Sequence, residues 1–179
     1  MRPGNRVGLG GALLVLLGVL AMTFGPDLIN ATVPSRTPPV QAGDTRVINT
    51  GEARVSLDLT PLAGWTQSPG TNPTGFTLTR SADRLSVEVK SGVQNGRIAL
   101  ERYLRGLGVT EPALRWQLTG EVRTTTGLTG HQAGFDLRER HGTVWLLGRD
   151  STAVILNLVG PRDTEPGIGT LLDLVEVTG

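Results

Sequence analysis

The sequence predicts an α+β protein: a single N-terminal transmembrane helix, a linker, and an antiparallel β-sheet packed by two helices. Three observations carry this. Val7 to Phe24 is an apolar run without a charge. Beyond residue 51, most apolar positions recur every second residue, the period of half-buried strands. Two stretches break that rhythm with helical spacing, near residues 96–107 and 164–175. Strands therefore come in runs between helices, which is the α+β order and not the alternation of βαβ units.

The first segment, VGLGGALLVLLGVLAMTF, would span roughly 27 Å as a helix at about 1.5 Å per residue, close to the ~30 Å hydrocarbon core of a bilayer. Left in water, each of its Leu and Val side chains would forgo roughly 1.5–3 kcal/mol of burial. Arg2 and Arg6 precede the run and Asp27 is the first charge after it. The positive-inside rule then keeps the N-terminus in the cytoplasm and places the rest of the chain outside. Residues 1–25 are expected to form a cytoplasmic tip and signal anchor, giving a single pass through the plasma membrane. The alternative is a cleaved secretory signal with Ala21-Met22-Thr23 at its cleavage site, which also sends the domain across the membrane.

Residues 26–51 carry Pro26, Pro34, Pro38 and Pro39 among Thr, Ser and Gly and show no periodicity. They read as a linker stiffened toward polyproline II. Residues 52–179 then hold one domain with one core. Cysteine is absent from the chain, which excludes disulfides, thiolate chemistry and a lipidated cysteine. The formal net charge is +1, and residues 50–179 hold thirteen cations against fourteen acids. A near-neutral domain has no electrostatic footprint for nucleic acid. Sixteen of the seventeen basic residues are Arg, a codon bias that points to a GC-rich bacterial genome and an actinobacterial-type cell envelope.

The elements follow in order. Val55, Leu57 and Leu59 alternate with polar residues up to Pro61 and predict the first strand. Phe76 and Leu78 mark a second, Ser81-Ala82-Asp83 a tight turn, and Leu85, Val87 and Val89 a third. Asn95 caps a helix from Gly96 to about Leu107, with Leu100, Tyr103, Leu104 and Leu107 on its apolar stripe and Glu101 one turn before Arg105. Gly106 and Gly108 are expected to close it. Leu114, Trp116 and Leu118 alternate in a fourth strand, and Val122 to Thr126 reads as a weak fifth. Ala133 to Arg140 and Thr143 to Gly148 form the next two strands, joined at His141-Gly142. Ala153 to Val159 is apolar on both faces, the pattern of a central strand. Thr164 caps a second helix with Ile168, Leu171, Leu172 and Val175 on its stripe, and Val175-Glu176-Val177 is a candidate last strand.

The run Val55-x-Leu57-x-Leu59 followed by Pro61-Leu62-Ala63-Gly64-Trp65, then a meander, a helix, Gly130 through Phe135, a strand run and a Leu-rich close resembles the PsbP-like fold over residues 52–179. That superfamily includes an extrinsic photosystem II subunit, a Ran-binding import factor and actinobacterial cell-envelope lipoproteins of the LpqN type, to which the resemblance is closest. The resemblance implies an antiparallel sheet backed by helices, in proteins that mostly bind partners and do not catalyse. This chain departs from the LpqN type in lacking the lipidated cysteine, and no functional residue of the family maps onto it.

No Walker A loop, His-Glu-x-x-His, Gly-x-Ser-x-Gly elbow or EF-hand loop is present. His131 and His141 flank the expected Ala133–Arg140 strand, about 33 Å apart if it is extended, too far to share a metal. No cofactor or metal is therefore expected. The richest polar cluster is Asp136, Arg138, Glu139, Arg140 and His141, with Arg149, Asp150 and Ser151 after the next strand. Asp136, Arg138 and Arg140 alternate on one face of the expected strand, either as a solvated face or as a binding patch. Trp65 and Trp116 are expected in the core. Trp145, opposite in phase to Val144 and Leu146, is expected to be exposed. Trp145, Asp136, Arg138, Arg140, His141 and Arg149 make up the candidate binding surface. The function expected is a membrane-anchored extracytoplasmic module that binds an envelope protein or lipid. A hydrolase or transferase using His141, Asp136 or Ser151, and a structural spacer of a membrane complex, are the alternatives.

Overall fold

The computed structural model describes residues 38–51, 53–68, 72–161 and 171–178. The transmembrane helix expected over Val7–Phe24 lies outside them, as does most of the helix expected from Thr164. Among the described residues no helix is long and apolar enough to cross a membrane.

In chain order the strands are β1 (Thr45–Asn49), β2 (Arg54–Asp58), β3 (Thr66–Gln67), β4 (Gly75–Arg80) and β5 (Asp83–Lys90). Helix α1 (Gly96–Thr110) follows, then β6 (Arg115–Arg123), β7 (Thr129–Asp136), β8 (Arg140–Arg149), β9 (Thr152–Pro161) and β10 (Val175–Thr178). They build a three-stranded sheet of order β1-β2-β10 and a seven-stranded sheet of order β3-β4-β5-β9-β8-β7-β6. Every pairing is antiparallel. The fold is α+β and mostly β.

Strand parity decides what each face meets. Leu85 and Val87 of β5, Trp145 and Leu147 of β8, and Leu156 and Leu158 of β9 point to one side of the large sheet. There they pack with Val55 and Leu57 of β2 and Val175 and Val177 of β10. On the other side Ala133, Phe135, Val144, Leu146 and Ile155 meet Leu100 and Leu104 of α1. Strand β9 is buried on both faces, as its apolar run, interrupted only by Asn157, requires. Leu100 and Leu104 are fully buried, and at roughly 1.5–3 kcal/mol each they seat the helix on β7 and β8. Asn95 caps α1 as expected, its Oδ1 accepting from the Ile98 amide at 3.0 Å.

Several expectations need correction. The linker expected over 26–51 loses its last part to the domain: Val40 is buried and β1 pairs along the whole of β2. Only Ile48 of β1 is buried, so this edge strand carries no alternation to read. The expected fourth and fifth strands are one, β6, with a bulge between Leu118 and Gly120 that shifts the phase of its side chains. Helix α1 runs through Gly106 and Gly108 to Thr110. The strand expected to reach Arg140 stops at Asp136. Leu137 turns the chain by donating its amide to the Arg140 carbonyl at 2.8 Å, which puts Arg138 at the hairpin tip and not on a strand face. At the C-terminus Leu172–Leu174 is a 3-10 turn and Val175 begins β10, so the described end of the expected second helix is a short 3-10 turn that passes into a strand.

Trp145 is the clearest reversal: it is 0% exposed, while Trp116 is 37% exposed. The expectation assumed that β8 has one wet face, but its odd-numbered residues are covered by the small sheet. The Trp145 indole donates to Gln132 Oε1 at 3.1 Å, its cross-strand partner.

Candidate functional site

The sequence-derived patch is divided by the β7–β8 ladder. Asp136 and His141 are register partners at one end of it. Arg138 and Arg140 line a hollow of about 600 Å³ there, against Glu111, Pro112 and Ala113. Arg140 also reaches the Ala82 carbonyl at 3.5 Å. Arg149 and the Asp150-Ser151 turn lie at the opposite end, roughly 27 Å along β8 from His141 at about 3.4 Å per residue. Asp136, His141 and Ser151 therefore do not converge. With Trp145 buried, the six candidate residues form no single surface.

A different constellation forms where α1 begins. A cleft of about 720 Å³ is lined by Gln94, Gly96, Glu121, Arg123 and His131 together with Gly130 and Gly148. Glu121 pairs across the ladder with His131, and Arg123 with Thr129, which places these side chains as face neighbours about 4.5–5.5 Å apart at Cβ. They stand on the α1 side, because His131 has the parity of Ala133 and Phe135. Glycine permits close approach around the cleft. A Cβ on Gly96 would stand 3.3 Å from Leu146 Cδ2 and 3.5 Å from His131 Cδ2, and one on Gly130 would overlap the Leu146 carbonyl. The first turn of α1 thus sits directly over His131, which is half-buried.

A second hollow of about 550 Å³ runs along α1 and shares Val93, Gln94 and Leu146 with the first. Lys90, Ile98, Arg102 and Tyr103 form its walls. The Tyr103 hydroxyl accepts from Asn157 Nδ2 at 3.1 Å. Burial pushes the Tyr103 phenol above its ordinary value, against the opposing hydrogen bond from Asn157.

Two carboxylates are shifted the other way. Hydrogen bonds from the Thr60 side chain and amide hold Asp58 low, and those from Thr125 do the same for Asp173. Asp58 ends β2, Asp173 sits in the 3-10 turn Leu172–Leu174, and neither lines the cleft. Among the described residues no group of three or more His, Asp or Glu side chains is arranged to hold a metal. The cleft instead presents an imidazole, a carboxylate and a guanidinium beside glycine backbone, donors and acceptors that a polar ligand could use. Sequence reading missed it because Gly96, Glu121, His131 and Gly148 converge only through the sheet order.

No protein-family model matches the chain, and no curated protein matches it. Among solved structures, the chain is similar to cyanobacterial PsbP (CyanoP) from Synechocystis sp. PCC 6803, with TM-score 0.45 and 12% identity over 73% of this chain and 88% of that one. It is also similar to the Ran-binding protein Mog1p of Saccharomyces cerevisiae, with TM-score 0.45 and 13% identity over 67% of this chain and 78% of that one. Nothing that either protein binds is transferred to this chain at such identities.

Proposed function

We propose that this chain is a membrane-anchored, non-catalytic binding or accessory module of the cell envelope, held outside the plasma membrane by Val7–Phe24. The observation that carries the reading is the cleft at the start of α1, where Glu121, Arg123 and His131 meet over glycine backbone. Binding, unlike catalysis, asks only for complementary polar groups around a shaped hollow. The acid-base alternative drew on Asp136 and His141, which pair at one end of the ladder, and on Ser151, which lies beyond its other end. The apolar run and its flanking arginines support the anchor, and the LpqN-type resemblance supports an envelope setting.

Cross-linked capture from native membranes tests the reading, using the full-length chain beside His131→Ala with Arg123→Glu, and Arg140→Ala at the other end of the ladder. One defined partner lost with the cleft variant and kept with Arg140→Ala is the expected result. Equal capture by all three would reject the cleft.

A further inference from the structure

We infer that the outer face of α1 docks on an anionic membrane surface. Among the described residues the large apolar side chains left exposed are Val47 at 37%, Ile98 at 50%, Val109 at 81% and Trp116 at 37%. Three of the four lie on one side of the molecule. Ile98 and Val109 belong to α1, and Trp116 is the register partner of Phe135, whose side chain packs on the α1 side.

At 3.6 residues per turn, Ile98 and Val109 fall within about 20° of each other around the helix, with Arg102 and Arg105 between them in the same sector. The outer face of α1 thus alternates apolar and cationic groups along its length, in the manner of helices that lie in the headgroup region. Its inner face is already used by Leu100 and Leu104.

Charge selects the partner. From Gly96 to Arg115 the chain carries Arg97, Arg102, Arg105 and Arg115 against Glu101 and Glu111, a surplus of two cations. Residues 50–179 as a whole carry one more acid than cations, so the rest of the domain is acidic and would be repelled by the surface that attracts α1. Glu101 is engaged by Arg97 at 3.3 Å and by Arg105 at 3.9 Å. Among the described residues Arg102 has neither an ion pair nor a hydrogen bond, and it stands at the rim of the hollow that Ile98 also walls. Lipid phosphates meet Arg102 and Arg105 while Ile98, Val109 and Trp116 enter the interface. Each arginine near an anionic surface contributes about fivefold to binding.

The absence of cysteine allows a clean test. The full chain carrying Val109→Cys, labelled with a polarity-sensitive fluorophore, is mixed with phosphatidylglycerol or phosphatidylcholine vesicles, and Val47→Cys on the small sheet serves as control. The label at 109 is expected to shift to the blue with phosphatidylglycerol alone, and the label at 47 with neither. Adding Arg102→Glu and Arg105→Glu should lower the docked-to-free ratio more than tenfold. A label at 109 that stays in water would overturn the inference, as would an equal shift in both lipids or indifference to the charge reversal. A shift in detergent that grows with protein concentration would assign the face to a second copy and also overturn it. The label reports on α1 whether or not Val7–Phe24 inserts, so a chain that fails to insert but still shifts counts only against the anchor.

Discussion

Arg149 ties the large sheet to the small one through Val177: its Nη1 donates to the Val177 carbonyl of β10 at 3.2 Å. The same guanidinium donates from Nη2 to the Thr126 carbonyl at 3.0 Å, so one planar group joins β8, β10 and the β6–β7 hairpin. Gly127 beside it has φ +81°, and a Cβ there would lie 3.6 Å from Arg149 Nη2. A residue that read as part of a binding patch, and that lines the cleft at the start of α1, is thus also a brace. Replacing it with Ala should lower stability by about 1–2 kcal/mol, the low end for charged hydrogen bonds because the side chain is exposed. Lys should recover little, since an ammonium does not reproduce the fork. Urea midpoints for Arg149→Ala and Arg149→Lys that match the parent would refute the brace.

The same hairpin is held from the other side by Asp173, whose Oδ1 accepts from Thr125 Oγ1 at 2.7 Å and from the Thr125 amide at 3.1 Å. These bonds lower the carboxyl below its ordinary value near 3.8. A lowered pKa in the folded state means the unfolded chain takes up the proton first as pH falls. The contribution is therefore present above about pH 4 and lost as pH drops through the folded-state value. Asp173→Asn should lower the urea midpoint at pH 7, and the gap to the parent should narrow by pH 2.5. A gap of constant size between those two pH values would contradict this account.

The strands legible in the sequence include β2, β4 and β5, with one covered and one wet face, β8 and β9, buried on both faces along their middles, and the short β10. The two-residue β3 and the edge strand β1 bury too little to leave a pattern, and the bulge in β6 split one strand into two apparent ones. The cap at Asn95 was legible because it is local chemistry. The cleft was not. Glu121 and His131 are neighbours only because the hairpin register pairs them, and Gly96 reaches them from another element. Trp145 was misread for a related reason, since strand alternation names two faces but does not say how many are covered.

Trp145 and Trp116 should therefore separate by fluorescence. Acrylamide is expected to quench Trp116, and Trp116→Phe should remove the quenchable fraction, whereas Trp65 and Trp145 lie at 4% and 0% exposure and stay protected. Trp145→Ala should cost about 3–5 kcal/mol from the cavity and lost burial. Retention of the quenchable signal in Trp116→Phe would show that another indole reaches water.

Tyr103 and Asn157 make the last test. Asn157 Oδ1 is buried without a hydrogen-bond partner among the described residues, while its Nδ2 donates to the Tyr103 hydroxyl. Turning the amide over would only exchange which atom is orphaned. Tyr103→Phe should then cost about 1–3 kcal/mol, because it leaves the whole buried amide unmatched. Adding Asn157→Leu removes the stranded group, so the double variant should be more stable than Tyr103→Phe alone, and simple additivity in a double-mutant cycle would refute the coupling. The phenol adds a pH signature. Its raised pKa contributes stability that is complete below about pH 10 and lost as pH climbs through the folded-state value, because the unfolded chain releases its proton first. Tyr103→Phe should flatten that alkaline decline, which stability curves between pH 8 and 11 would measure.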